Sequence, residues 1–230
     1  MEAVAVPRHV AIIMDGNRRW ARAHGATEAE GHAAGVRAVR PIVEQAVRRG
    51  VEVLSLYAFS RENWGRSAAE VGALMALLRD AVRDETDELR SRGVRVRLLG
   101  RLEELSEETR ATVLGGLDAT REGGRLQLNV AFNYSGRTEL VDAARRCVED
   151  GLAPAAIDEQ AIEQRLYTRG LPDPDLLIRT AGEERLSNFL IWQSAYAELY
   201  FSDLMWPDFG PDAFDAALAA YGRRTRRFGR

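Results

Sequence analysis

Residues 9–20 read HVAIIMDGNRRW. An apolar, β-branched run, Val10 to Met14, stops abruptly at Asp15-Gly16-Asn17-Arg18-Arg19-Trp20. The run has the length and composition of a buried strand. A carboxylate, a glycine and two guanidiniums then stand at its carboxyl end, where open α/β sheets bind ligands. A carboxylate beside fixed cations suits a magnesium-bound polyphosphate: the acid holds the metal and the arginines fork onto phosphate oxygens. Taken alone, the same residues also fit a polar turn with solvated arginines.

Other apolar runs end in similar chemistry. VEVLSLYAF is followed by Ser60-Arg61-Glu62-Asn63-Trp64-Gly65-Arg66, LQLNVAF by Asn133-Tyr134, and PDPDLLI by Arg179-Thr180, with Arg185, Leu186 and Ser187 just beyond. Glu198 opens a last apolar run. If these runs are parallel strands, most of the polar groups share one sheet edge. Asp15 and Glu198 are the candidate oxygen ligands for Mg²⁺, which usually takes one or two carboxylates plus phosphate oxygens.

The composition removes competing chemistries. The chain has no lysine, so all 32 basic residues are arginine. Schiff-base, pyridoxal-phosphate and Walker-lysine chemistry are thereby excluded. Cys147 is the single cysteine, so no internal disulfide forms. His9, His24 and His32 lack metal-ligand spacing. No G-x-G-x-x-G follows the first strand, and no Ser-His-Asp set is evident. The net charge of −3 argues against a nucleic-acid binder. The start, MEAVAVPRH, is not a signal peptide, and no apolar run approaches the roughly 20 residues that span a bilayer. A cytoplasmic protein is the expectation. What remains is metal-assisted handling of a phosphate-bearing substrate, by phosphoryl transfer or by ionisation of a diphosphate leaving group.

The elements that must position these groups alternate. Strands are expected at 10–14, 51–59, 94–100, 126–134, 172–180 and 197–202, with a short apolar element at 189–193. Helices are expected at 32–49, 68–91, 106–122, 135–150 and 211–224, with Asp158 as a further helix cap. Alternating βα units over 230 residues imply one α/β domain with a mostly parallel sheet flanked by helices. Residues 1–7 and 228–230 are read as tails.

Several blocks together resemble the cis-prenyltransferases, the isoprenyl (undecaprenyl-type) diphosphate synthases: HVAIIMDGNRRWA, YAFSRENWGR, LNVAFNYSGR, PDPDLLIRTAGEERLSNFLIWQSAYAELYF and WPDF. The resemblance runs from about residue 8 to the carboxyl end. It implies a six-stranded parallel sheet, a homodimer, and condensation of isopentenyl diphosphate with an allylic diphosphate, with Mg²⁺ as cofactor. The product class it implies is a C50–C55 lipid carrier precursor, which would allow peripheral membrane contact. By the same resemblance, Asp15 is the essential metal-binding acid and Glu198 the second. Gly16, Asn17, Arg18 and Arg19, with Trp20 and His32, cradle the allylic diphosphate. Ser60, Arg61, Glu62, Asn63, Trp64 and Arg66 close over the substrates, Asn63 being the position often assigned as proton acceptor. Arg179, Arg185, Leu186 and Ser187 form the isopentenyl diphosphate site, and Arg227 belongs to a terminal motif that reaches a partner subunit.

Such chemistry needs an apolar pocket for the chain. Val71, Leu74, Met75, Leu78 and Val82 share a helix face. With Leu54, Leu56, Ala58, Leu126, Leu128 and Phe132 they could line a tunnel, or simply pack a core. An amide is a poor base, so Asn63 is expected to orient while a diphosphate oxygen takes the proton. Glu28 stands where the family usually has arginine, and an acid there is expected to repel a diphosphate. Ser135 and Ser67 replace a frequent glycine and a proline. Alternatives are a short-chain cis or irregular terpene diphosphate synthase, a non-catalytic partner subunit, and a phosphohydrolase on the same scaffold. Retention of Asp15, Asn63 and Glu198 opposes the second, and no water base supports the third.

Overall fold

The computed structural model describes residues 5–224. β1 (His9–Ile13) is buried at every residue and lies between two parallel neighbours. Those are β2 (Val53–Ser60) and β5 (Leu176–Arg179). With β3 (Val94–Leu99), β4 (Leu126–Tyr134) and β6 (Glu198–Phe201) they form one sheet in the order β3-β4-β2-β1-β5-β6. Every pairing is parallel. Parallel strands need crossovers, which cover both faces and leave near-continuous apolar runs such as VAII and LLI inside.

β1 divides its side chains between two cores. Val10 and Ile12 pack with Ile42, Val43, Trp206, Phe209 and Phe214 on one face. Ala11 and Ile13 pack with Leu177, Phe189 and Leu190 on the other. The chain leaves β1 toward β2 on one side and enters β5 on the other. The crevice beyond the carboxyl ends of β1 and β5 is therefore a topological switch point.

The connection from β1 to β2 differs from the expected single helix. It comprises α1 (Asn17–Ala23), α2 (Glu28–Arg37) and α3 (Val39–Arg49). Pro41 has no N–H to give Arg37, so one continuous helix could not carry a full hydrogen-bond ladder through this point. Thr27 and Glu30 form a capping box that starts α2, a signal visible in the sequence as T-E-A-E. α4 (Ala68–Ser91) follows its expected bounds, with Ser67 Oγ accepting from Glu70 N at 3.2 Å. α5 (Glu107–Ala119), α6 (Gly136–Glu149), α7 (Glu159–Glu163, capped by Asp158) and α8 (Pro211–Gly222) complete the helices.

Residues 189–193 are neither strand nor helix but consecutive turns. Phe189 and Leu190 still reach the core. The turn is tight: Ser187, Asn188 and Leu190 all have positive φ, at 46°, 65° and 44°. The only other non-glycine residues with positive φ among the described residues are Asn133 and Ala181. Asn133 is the next-to-last residue of β4 and the other four fall in the segment that follows β5, so unusual backbone is confined to the edge that carries the polar motifs.

Candidate active site

Asp15 lies two residues past β1, and its backbone is locked to the end of β5. Thr180 Oγ1 donates to Asp15 O at 2.7 Å and accepts from Asp15 N at 2.9 Å. Gly16 then turns the chain at φ 108°. A Cβ there would meet Ala181 Cβ at 2.9 Å and Met205 Cβ at 3.0 Å, so only glycine lets α1 start here. Gly31 and Gly35 of α2 let α1 approach closely, since a Cβ at either would strike Asn17 at 2.4 or 2.6 Å.

The centre of the site is a buried cation against a half-buried acid. Arg179, 3% exposed, donates from Nη2 to Asp15 Oδ2 at 2.8 Å. Its Nη1 donates to Ser187 Oγ and to Arg185 O, both at 2.6 Å. The tight turn after Arg185 thus folds back onto β5 because a fixed guanidinium collects its oxygens. Arg19 reaches Asp15 Oδ1 at 3.5 Å and donates to Ala181 O at 2.8 Å.

A polar cavity of about 820 Å³ opens around these groups. Of the expected residues it brings together Asp15, Gly16, Asn17, Arg18, Arg19, His32, Ser60, Glu62, Asn63, Arg66, Arg179, Arg185 and Ser187. Three buried polar atoms on its walls accept or donate no hydrogen bond within the protein: Asn17 Oδ1, Arg179 Nε and His32 Nε2, the last lying 3.6 Å from Glu70 Oε1. Buried polar groups are ordinarily satisfied, so these mark places for ligand atoms. Burial, then the neighbouring Arg66 charge, push the His32 pKa down, so a neutral imidazole faces the cavity at neutral pH.

The cationic side chains are held by acids. Arg18 pairs with Glu28 at 2.7 Å, Arg66 with Glu70 at 2.8 Å and Arg185 with Glu183 at 2.5 Å. Such half-exposed pairs contribute about 0–1 kcal/mol each. A charge-assisted bond to a phosphate group exceeds that, so these acids are weak enough partners to be exchanged for a phosphate-bearing ligand. Glu28 itself stands outside the cavity, pairing with Arg18 and, at 3.5 Å, with Arg22. The expected direct repulsion is replaced by competition for two arginines.

Segment 60–66 contributes Ser60, Glu62, Asn63 and Arg66 to the cavity wall. Ser60 N donates to Asn63 Oδ1 at 3.0 Å. Asn63 is thus engaged as an acceptor, consistent with orientation rather than basicity. Glu62 receives Asn188 Nδ2 at 2.9 Å, which ties this segment to the turn after Arg185.

Several expected site residues point elsewhere. Trp20 stacks on His24 at 4.3 Å and donates to Asp208 Oδ1. Arg61 pairs with Glu104. Trp64 donates to Asn133 Oδ1 at 2.8 Å and meets the Phe59 ring edge-on. Leu186 packs against the core. These four support the walls instead of lining the cavity. Arg227 lies outside the described residues. Arg22, Tyr57, Glu183 and Asn188 line the cavity and were missed. Glu183 and Asn188 sat inside a resemblance block, whereas Tyr57 read as an ordinary strand residue.

Within one chain Glu198 does not meet Asp15. It begins β6 in register with Leu176, which pairs with Val10. Asp15 lies five residues beyond Val10. Ile13, the last residue of β1, stands three residues beyond that level, about 10 Å at about 3.3 Å per residue, and Asp15 follows it, so the two acids stand at opposite ends of the strands within this chain. A parallel register cannot bring the first residue of one strand to the end of another. Glu198 instead accepts from Arg224 Nη1 at 2.8 Å. Among the described residues no group of three acids, histidines or cysteines could by itself hold a metal.

Behind the polar cavity runs an apolar one of about 210 Å³. The two share Met14, Asn17, His32, Ala58 and Leu74. Leu74, Leu78 and Val82 of the expected helix face line it, as do Leu56, Ala58, Leu128 and Phe132. Val71, Met75, Leu54 and Leu126 do not; they pack core. Val71 is the one buried residue of α4, because the rest of its apolar stripe faces this space.

A family model described as "Putative undecaprenyl diphosphate synthase" matches residues 13–229. The chain belongs to the undecaprenyl diphosphate synthase family of prenyltransferases. It is 50% identical to a ditrans,polycis-undecaprenyl-diphosphate synthase ((2E,6E)-farnesyl-diphosphate specific) of Pseudomonas aeruginosa, over 99% of this chain and 92% of that protein. It is 48% identical to an isoprenyl transferase of Zymomonas mobilis, over 97% of this chain and 92% of the other. The crystal structure of lavandulyl diphosphate synthase from Lavandula x intermedia, in complex with dimethylallyl diphosphate, superposes with a TM-score of 0.94. That alignment has 39% identity and covers 98% of this chain and 99% of the other. The undecaprenyl diphosphate synthase fold thus accounts for the sheet and for the placement of the cavity at its carboxyl edge.

Proposed function

We propose that the chain condenses isopentenyl diphosphate with an allylic diphosphate and extends the product by successive cis additions to the C50–C55 range. The observation that carries this reading is one continuous site: a cavity walled by arginines opens directly into an apolar cavity lined by α4, α5 and the sheet. Two charged heads and one growing hydrocarbon need that arrangement. Its similarity to a protein named undecaprenyl diphosphate synthase supports the product length.

Arg18, Arg19 and the N–H groups at the start of α1 would hold the allylic diphosphate, with His32 where the two cavities meet. Arg185, Ser187 and Arg179 would hold the isopentenyl diphosphate. Asp15 suits a Mg²⁺ ion: Oδ2 is engaged by Arg179, Oδ1 has only the distant Arg19, and substrate phosphates would complete the shell. The ion would stabilise charge on the departing diphosphate. The apolar walls disfavour water near a carbocation and favour capture by the second substrate. Asn63 would orient that substrate while its own or the departing diphosphate accepts the proton.

The assembly we propose is a homodimer through the open edge of the sheet. β6 leaves that edge unpaired, and Tyr196, Leu199 and Leu204 beside it are 72%, 37% and 44% exposed. A cytoplasmic enzyme touching a membrane through its lipid product fits the absence, among the described residues, of a helix long and apolar enough to cross one.

The test is incubation with radiolabelled isopentenyl diphosphate, Mg²⁺ and a C10, C15 or C20 primer, followed by sizing of extracted lipids. A ladder ending at C50–C55 is expected. The close superposition on lavandulyl diphosphate synthase supplies a second reading, an irregular or short-chain condensation. Products stopping after one addition would favour it, and no incorporation with any primer would end both.

A further inference from the structure

The alternating strand VRVRLL, β3, has a face that the prenyl chemistry leaves unused. Val96 and Leu98 point toward the apolar cavity, whereas Arg97 points to the opposite face of the sheet. There it enters a second polar cavity of about 540 Å³, bounded by β3, the end of α6 and the segment after α7. None of its residues lines the cavity around Asp15.

Four guanidiniums border this space: Arg97, Arg146, Arg165 and Arg169. Asp150 is the one carboxylate lining it, and it is engaged by Arg165 Nε at 2.8 Å. Among the described residues, Arg97, Arg146 and Arg169 make no ion pair with a carboxylate. Arg97 Nη1 donates to the backbone oxygen of Arg169 at 3.1 Å, and Arg146 Nη1 to that of Arg165 at 2.6 Å. These bonds fix the arginines without neutralising them. Arg97 is half-buried, and burial followed by the Arg169 charge lowers its pKa, while the buried Glu139 opposes this only weakly. Arg146 also lies 5.3 Å over the Tyr167 ring, which forms an apolar wall.

A protein gains nothing from assembling like charges in a concavity unless an anion joins them. Guanidinium forks match phosphoryl oxygens two at a time. Four arginines against one acid leave an excess of three positive charges among the lining residues, and Asp142 nearby, which feels the Arg146 charge, is itself paired with Arg101; this suits a diphosphate better than a monoanion. We propose that this cavity is a second anion site, distinct from the substrate site, that binds a small soluble molecule carrying a diphosphate group.

Equilibrium dialysis with radiolabelled inorganic diphosphate tests this, comparing the wild-type chain with the Arg97→Gln/Arg169→Gln double variant. The variant is expected to bind one equivalent fewer, with unchanged condensation activity at saturating substrate. Equal stoichiometry in the two proteins overturns the proposal. The difference between the two counts is independent of what the Asp15 cavity binds. In the wild type, phenylglyoxal labelling of Arg97 and Arg169, read by mass spectrometry, should slow at least fivefold when diphosphate is present. Unchanged labelling also overturns it, and this readout needs no variant to fold. Repeating dialysis with ADP as competitor separates sources: displacement tighter than by inorganic diphosphate assigns an organic carrier packed on Tyr167, and weaker displacement assigns the free anion.

Discussion

Arg179 Nη2 lies 2.8 Å from Asp15 Oδ2, across the seam where β1 and β5 meet. The arginine is buried and the acid 30% exposed, so one carboxylate serves two purposes. It neutralises a cation that the fold has taken out of water, and it presents its other oxygen to the cavity.

Replacing Asp15 therefore has two separable effects. Asp15→Asn should cut kcat by about a hundredfold or more, the scale of losing charge stabilisation at a leaving group. Asp15→Ala should also lower stability by about 1–2 kcal/mol. Leaving a buried cation unpaired costs about 3–5 kcal/mol, discounted here because the pair is partly solvated and Ser187 and Arg185 O still bind Arg179. Steady-state kinetics and urea unfolding read the two effects. Wild-type turnover in either variant would remove Asp15 from the chemistry.

Arg185 extends from the turn, is well exposed, and is held by Glu183. Arg185→Ala should raise KM for isopentenyl diphosphate about tenfold while leaving the allylic KM within twofold, since loss of one charge-assisted contact costs about 1.5–3 kcal/mol at most. The reverse ranking in substrate-variation kinetics would exchange the two sites.

Glu28 competes for Arg18 and Arg22. Glu28→Gln keeps the helix start and removes the competing charge. The allylic KM should fall by about two- to fivefold, the equivalent of about 0.5–1 kcal/mol for a half-exposed pair. An unchanged KM would show that neither arginine meets the allylic diphosphate.

Leu117, which lines the apolar cavity, offers a length test. Leu117→Trp should shorten the products by several isoprene units on thin-layer chromatography, with initial condensation rates little changed. Products of unaltered length would mean that the chain grows elsewhere.

His9 predicts acid sensitivity. It is buried between Pro172 O, 2.7 Å from Nδ1, and Ser55 Oγ, 2.8 Å from Nε2, while Asn129 Nδ2 donates to Ser55 Oγ. Nδ1 carries the proton, because a carbonyl can only accept. Burial lowers its pKa to about 4, although Pro172 O favours the charged form. The unfolded chain therefore binds the proton first as pH falls below about 6.5, and stability declines until about pH 4. The loss from this group is about 3 kcal/mol. His9→Gln should flatten that part of a stability-pH curve, and an unchanged slope would refute the assignment.

Much of this was legible locally. The runs around Val10–Met14, Leu54–Phe59 and Leu126–Phe132 are apolar enough to declare buried parallel strands, and α4 announces both ends through Ser67 and Gly93. Asp15, Arg179 and Ser187 could be grouped because a parallel sheet collects strand ends at one edge. Pro41 is a local mark of the α2–α3 break, which the apolar periodicity of 32–49 hides. Nothing local distinguished Leu74 or Leu78, which line space, from Val71, which fills it. That distinction depends on how far the opposing strands and α5 stand away.

Sequence alone determined the chemistry on offer: arginine without lysine, one acid and a glycine after the first strand, and strands too apolar to lie anywhere but inside. Tertiary structure decided which of those groups meet. It joined Asp15 to Arg179, sent Glu198 to the opposite end of the strands within this chain, and turned Trp20, Arg61 and Trp64 into supports. Residue types are carried by the chain, but distances between them are set by strand order and register, which arise only when segments far apart in sequence pair and exclude water together.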